Sequence, residues 1–353
     1  LSHIASAFYP SKFNKAIGLS VDGFGDFCSL AVAKCENKKI KIIDRVYFPH
    51  SLGVFYEAFT QLLGFRNYGD EYKVMGLSSY GSPKYFDEIL NNFFTNKKDL
   101  NLNLNYFRHT GKNFKYKFQG LPNQSKIFNK SVNSKFSIFK NQKISKKHQN
   151  IASSVQKVFE HKLINIINKI NDLKFSKNLV YAGGCALNSL ANKKILDSKL
   201  FKKIFIPYAP GDGGGSIGSA LIVANKKYKQ KIFKNLSSPY IGPNYTNDEI
   251  LNYIKNKNSI KKYNFRKYDN NNELFNDIAK LIYKNKIIGY FNGRMEFGAR
   301  ALGNRSIIAN PCNPKIKEII NSKIKRRESF RPFAPAIISE EKKKWFRNDK
   351  DNP

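Results

Sequence analysis

The sequence predicts an α/β protein in two domains. Three observations predict it. At 353 residues the chain exceeds what one typical core holds. Strand, glycine-rich turn and helix follow one another repeatedly. A polar, proline-containing stretch, SSPYIGPNYTND (237–248), reads as a junction. The first domain is therefore placed at 1–236 and the second at 237–353. A hydrophobic content of 41% and an aromatic content of 14% are enough to build real cores.

The elements read in order as follows. AIGLSV, FCSLAVAKC and IKIIDRVYF are three strands, separated by the turns DGFGD and ENKK. Helical spacing runs from Val54 to Phe65, and GDEYKVMGLSSYG reads as a helix entering a glycine-bounded turn. From Tyr106 to Asn150 there are eleven Lys and Arg and no Asp or Glu, interleaved with Phe and Tyr. There, FKYKF alternates like a half-exposed strand. That segment reads as a variable surface insertion, with an anionic-polymer arm as the alternative. Ile151, Val155, Val158, Phe159, Leu163, Ile166, Ile167 and Ile170 then mark one face of a helix. A strand (NLVYA), a turn (GGCALN), a helix, a strand (KIFIPY), a loop (APGDGGGSIG) and a small-residue helix follow. Beyond the junction, helices near 248–256 and 272–284 precede the strand KIIGYF.

The formal charge of +36 invites a nucleic-acid reading. Yet only 11 of the 62 basic residues are arginine, and Asn, Ile and Phe are abundant as well. That mix points to drift in an AT-rich genome rather than to a base-reading or phosphate-clamping surface, which leans on arginine. Nucleic acid is therefore not the favoured partner. No apolar run reaches the roughly 18–20 residues of a membrane helix. LSHIASAFYP lacks the start of a signal peptide. The four cysteines form no CxxC pair, which suits a reducing cytoplasm. The beginning at Leu1 and the end at Asp351-Asn-Pro353 read as a fragment cut at both ends.

Four clusters carry chemistry. Asp22-Gly-Phe-Gly-Asp26 is a turn that brings N–H groups and a carboxylate to phosphate oxygens or a metal, or is simply a tight hairpin. Gly183-Gly184-Cys-Ala-Leu-Asn188 joins a strand to a helix, where glycine lets a ligand approach the backbone and the helix start favours anions. Its spacing fits neither the Walker nor the dinucleotide fingerprint. Pro210-Gly-Asp212-Gly-Gly-Gly215-Ser-Ile-Gly218 is denser in glycine than a merely structural loop needs, and Asp212 is placed to reach a metal or phosphate. GYFNGRMEFGARALGNRSIIANP spends Arg294, Arg300 and Arg305 of an arginine-poor chain amid glycine. A glycine-broken loop can converge them on a small anion; a salt-bridged surface loop is the plainer reading.

Taken together, LSHIASAFYPS, VDGFGD, GDEYKVMGL, AGGCALNS, APGDGGGSIGSAL, GRMEFGARALGNRSI and RESFRPFAPAI resemble the O-carbamoyltransferases of the nodulation-protein NodU, cephalosporin and tobramycin type. The matches are collinear and span nearly the whole chain outside the basic insertion. The resemblance implies an actin-like ATPase fold (RNase H-like, similar to Kae1) followed by a YrdC-like α/β domain. It implies that ATP and carbamoyl phosphate form a carbamoyl-adenylate, whose carbamoyl group passes to a hydroxyl of a sugar or related small molecule. It implies a divalent metal, commonly Fe(2+), on His3, Asp22 and Asp212. The partner of His3 in the family's histidine stretch would precede Leu1. Gly183, Gly184, Asn188, Gly213 and Gly214 fall where adenylate is bound. Arg294, Arg300 and Arg305 fall where carbamoyl phosphate and the ATP phosphates are gripped. His3 and Asp22 are the catalytic candidates; either His3 or an aspartate could be the base for the acceptor hydroxyl. Cys185 stands where small residues are common. A homo-oligomer is compatible with this reading.

Three other classes remain in view. A tRNA-modifying threonylcarbamoyl transferase would use the basic insertion for RNA and show steep salt dependence. A non-catalytic anion-binding fragment would bind no nucleotide. A sugar kinase of the actin-like fold would leave the arginine domain without a task.

Overall fold

The computed structural model describes residues 1–65, 67–112, 114, 126–129, 131–132, 144–228, 238–256 and 263–346. The chain divides into two compact units on either side of Ser238.

In the first unit, β1 (Lys15–Gly25), β2 (Cys28–Glu36) and β3 (Lys39–Tyr47) form an antiparallel meander. Each connection is a two-residue turn with both residues at positive φ, Asp26-Phe27 and Asn37-Lys38. That backbone matches the right-handed twist of paired strands. β4 (Asn178–Ala182) joins β1 in parallel and β5 (Lys203–Phe205) joins β4 in parallel. The order is β3-β2-β1-β4-β5, with β1 in the centre. This is the strand order of one RNase H-like half. The described residues contain one such sheet, and the other sheet has two strands.

Side-chain size explains why α1 (Ser2–Phe8) sits where it does. One face of β1 carries Ala16, Gly18 and Ser20, and Ile4 of α1 presses onto it. A Cβ at Gly18 would stand 2.6 Å from Ile4 Cγ2. Ile4, Ala7 and Phe8 are buried with Ala31, Ala33, Val180 and Ala182 of the sheet. Burying Ile4 and Phe8 contributes about 2 kcal/mol each. Gly18→Ala would require the Ile4 side chain to shift.

α2 (Leu52–Leu62), α3 (Glu71–Ser78), α4 (Phe86–Phe93) and α5 (Lys146–Asn171) complete this core. α5 begins at a capping box between Ser145 and His148. All eight residues of its expected apolar face are buried. The helix is longer at both ends than its apolar stripe alone indicates. The segment read as a surface insertion begins inside the core instead. Phe107, Ile127, Phe128 and Val132 are buried, and Phe128 packs 4.8 Å from Phe59 and 5.1 Å from Phe93, centroid to centroid. Aromatic burial there outweighs the basic composition. FKYKF falls largely outside the described residues.

α6 (Ser189–Asp197) follows β4, and α7 (Asp212–Tyr228) follows β5. The glycine run expected as a loop is the first two turns of α7. Packing is the reason. A Cβ at Gly214 would lie 1.9 Å from Ala209 O, and one at Gly218 would lie 1.9 Å from Ser2 O. Such contact overrides the helix penalty of glycine, about 1 kcal/mol per residue.

The second unit pairs β6 (Ile288–Phe291) with β7 (Arg305–Ile308), antiparallel. Beside them in sequence are α8 (Asn247–Asn256), α9 (Asn271–Tyr283) and α10 (Ile316–Ile319). The proline-containing stretch read as a junction takes part in this unit. Gly242 N–H donates to Met295 O at 2.9 Å, and Phe297 N–H donates to Pro239 O at 2.7 Å.

Candidate functional site

β1 and β4 run parallel, so their carboxyl ends lie side by side, the edge of an open α/β sheet where ligands bind. Three segments deliver polar groups to it. The first turn of α1 carries His3, the end of β1 carries Asp22, and the first residue of α7 is Asp212. His3 Nε2 lies 2.8 Å from Asp22 Oδ2 and 3.6 Å from Asp212 Oδ1. One ligand atom from each residue falls within 4.8 Å of the others. Residues more than 200 positions apart thus converge on one locus.

The surroundings fix Asp22 firmly. Its Oδ1 accepts the N–H of Gly23 at 2.8 Å, and the backbone N–H of Gly184 also stabilises its charge. Ser51, the N-cap of α2, donates to Asp22 O at 3.0 Å. Burial opposes ionisation of Asp22, but the bonds from His3 and the two backbone N–H groups outweigh it and hold its carboxyl below the usual value. Asp212 is far more open, with 79% of its side chain exposed against 24% for Asp22. The hydroxyl of Tyr68 lies 3.4 Å from Asp212 Oδ2. Sequence reasoning did not single out Tyr68, since no motif marks it.

One imidazole and two carboxylates suit a divalent first-row metal. Three protein donors leave coordination positions open, as catalytic rather than structural sites do. One oxygen of each carboxylate approaches the same imidazole nitrogen. The residues present fit such a group.

The glycines around this locus divide into two kinds. Gly183 is required by its backbone: its φ is +93°, and a Cβ would lie 2.2 Å from Val21 O. Its N–H donates to Pro210 O at 2.8 Å, which ties the turn after β4 to the start of α7. Gly184 must approach Asp22, since a Cβ would meet Asp22 Oδ1 at 2.8 Å. Gly213 differs, because a Cβ there meets nothing within 4 Å and no unusual φ demands glycine. Of the five residues matched to adenylate binding, it alone combines open space with no packing or backbone requirement. Asn188 is engaged within the protein. Its Oδ1 accepts from Ala191 N–H at 3.1 Å, capping α6, and from Gln156 Nε2 at 3.0 Å. Its Nδ2 donates to Gln156 Oε1 at 2.9 Å, and Gln156 Oε1 also accepts the Tyr56 hydroxyl at 2.8 Å.

The arginine loop belongs to the second unit. Glu296 organises it, accepting the N–H groups of Leu302 and Asn304 at 2.8 Å and of Arg305 at 3.2 Å on one oxygen. Burial opposes its charge, but these backbone donors prevail and lower its pKa. Arg305 is spent inside the loop. Its guanidinium donates to Asn292 O and Asn304 O at 2.9 Å and to Gly293 O at 3.1 Å, and lies 3.5 Å over the Phe291 ring. Arg294 makes one long bond, to Ile241 O at 3.4 Å. Arg300 has no hydrogen bond or ion pair among the described residues. No ion pair or hydrogen bond links the three arginines to one another. Arg294 and Arg300 are exposed, whereas Arg305 is half-buried.

Two family descriptions match the chain: Carbamoyltransferase N-terminus over residues 1–221, and Carbamoyltransferase C-terminus over residues 279–353. An uncharacterized protein of Synechocystis sp. is 37% identical over all of this chain and 56% of its own length. Nodulation protein NolNO of Sinorhizobium fredii is 29% identical over 98% of this chain and 48% of its own. Nodulation protein NolO of Bradyrhizobium diazoefficiens is 30% identical over 98% and 59%. The crystal structure of full-length HypF in the phosphate- and nucleotide-bound form aligns at 14% identity and a TM-score of 0.33, over 65% of this chain and 42% of that one. That likeness is too distant to carry an argument. The chain spans about half the length of the curated relatives it matches. Among the described residues no helix is long and apolar enough to cross a membrane. With the amino-terminal match alone spanning more than half of its residues, the chain belongs to the carbamoyltransferase family.

Proposed function

We propose that the protein transfers a carbamoyl group to a hydroxyl of a small-molecule acceptor, with a sugar as the acceptor class. ATP and carbamoyl phosphate are the co-substrates in this reading. Water cleaves carbamoyl phosphate to carbamate and phosphate, a carbamate oxygen displaces pyrophosphate at the α-phosphorus of ATP to form carbamoyl-adenylate, and transfer of the carbamoyl group to the hydroxyl releases AMP. The observation that carries the reading is the convergence of His3, Asp22 and Asp212 at the carboxyl ends of two parallel strands. Family membership supports the reaction class.

The residues have distinct tasks. Asp22, Asp212 and His3 hold a divalent metal, for which ferrous iron is the proposed ion. Such an ion supplies Lewis acidity toward a carbonyl oxygen. The acceptor hydroxyl must lose its proton as the new C–O bond forms. His3 and the two aspartates are the bases within reach. Gly213, with open space above it, lets the nucleotide come close to the backbone of α7. Arg294 and Arg300 offer guanidinium donors to phosphate oxygens. Arg305 shapes the loop that presents them. The metal, the nucleotide route and a cytoplasmic location are parts of this proposal.

The test is pyrophosphate release from ATP by the full-length protein, with and without carbamoyl phosphate. Release is expected only when carbamoyl phosphate is present, and is expected to fall in Arg300→Ala. Release that ignores carbamoyl phosphate would overturn the reading. Steeply salt-dependent tRNA binding in its place would point to RNA modification.

A further inference from the structure

We propose that Tyr68 is a positioning residue for the metal centre, which turns one oxygen of Asp212 toward His3 and Asp22 by holding the other. This rests on the metal reading given above. Asp22 and Asp212 contribute to the locus in the same way. Each turns one oxygen toward His3 Nε2 and has its second oxygen engaged from behind. The donors behind them differ in kind. Asp22 Oδ1 is held by the backbone N–H of Gly23 at 2.8 Å, which cannot rotate away. Behind Asp212 stands only a side chain, the phenol of Tyr68, 3.4 Å from Oδ2, while Oδ1 lies 3.6 Å from His3 Nε2.

An exposed aspartate at the start of a helix samples several rotamers. A donor on its outer oxygen selects the rotamer that points inward. The backbone beneath Tyr68 is built to aim it. Asp70 is buried; its Oδ2 accepts Asn67 N–H at 3.0 Å, and its Oδ1 pairs with Lys73 Nζ at 3.0 Å. Gly69 turns the chain between them at φ +84°. At 3.4 Å the contact is long for an O–H···O bond. The expected effect therefore sits at the lower end of the roughly 10–100-fold range for residues that orient metal ligands.

The experiment strips the full-length protein with a chelator and titrates it anaerobically with ferrous iron, and separately with manganese(II). Wild type, Tyr68→Phe and Asp212→Ala are compared, with thermal unfolding of each metal-free protein alongside. Tyr68 is 60% exposed, so Tyr68→Phe is expected to unfold at the wild-type temperature. Its dissociation constant for metal is expected to rise about tenfold, with Asp212→Ala weaker still. A Tyr68→Phe constant within twofold of wild type overturns the proposal and leaves the metal reading standing. Wild type that takes up neither ion overturns both.

Discussion

In the first unit, Asp22 and Asp212 each turn an oxygen toward His3, while in the second Glu296 turns its carboxylate onto three N–H groups of its own loop. Both regions combine charge with glycine, and from sequence both read as anion or metal sites. What separates them is where the hydrogen-bonding capacity goes. Around His3, the N–H of Gly23 satisfies one oxygen of Asp22 and leaves the other to His3 Nε2, 2.8 Å away. Around Glu296, the acid and Arg305 are consumed in closing the loop. A charged residue beside glycine therefore shows that a polar backbone turn is present. Only its partners show whether that turn serves a ligand or itself.

The sharpest way to break this comparison is to remove a charge from each side. Asp22→Ala is expected to lower carbamoyl transfer on the order of 10³-fold, a few kcal/mol of charge stabilisation. Steady-state kinetics of the full-length protein would check it, with the fold intact by circular dichroism. Glu296→Ala should act on the fold instead. Three N–H groups lose their acceptor, so the second unit is expected to lose about 3 kcal/mol of stability, read by urea unfolding. Metal affinity should not change.

A fourth carboxyl sharpens the same contrast through pH. Glu71 is pushed up to about 7, by burial first and by Glu57 and Asp70 after it, where Glu296 is pulled down by backbone donors. In the folded state Glu71 keeps a proton that the unfolded chain releases near its ordinary value of 4.5. Its share of stability therefore falls as pH rises from 4.5 to about 7 and is level above that. Glu71→Gln should remove that slope, gaining about 3 kcal/mol over wild type at pH 8 and nothing near pH 4. Unfolding curves across that range would show it. The smallest effect is expected for Arg305→Lys, which keeps the charge but loses the planar stack on Phe291 and the fork to several carbonyls. A loss of about 1 kcal/mol is expected, measured by thermal unfolding.

Much of the fold was legible because it rests on local patterns. The two hairpins follow from turns rich in Asp, Asn and Gly, and the buried face of α5 follows from its apolar spacing. Asp22 and Asp212 stand out in their glycine-rich turns and His3 only through the family resemblance, and their meeting depends on the parallel pairing of β1 with β4. Other features were not legible, for physical reasons. The glycine run 213–218 reads as a loop until the carbonyls of Ala209 and Ser2 are seen to leave no room for a Cβ at Gly214 and Gly218. Asn188 reads as a ligand contact, yet it caps α6. Phe107 and Phe128 look like parts of a basic arm, yet they fill the core beside Phe59 and Phe93. Tyr68 carries no motif, and its contact with Asp212 spans 144 positions.

The central claim is that His3, Asp22 and Asp212 form one metal centre. Its most direct test is the metal content of the full-length protein after anaerobic reconstitution with ferrous iron and desalting, in wild type and in His3→Ala. The account predicts a single bound ion per chain in wild type and a nearly metal-free variant. Equal metal content in the two proteins, or none in either, would contradict it.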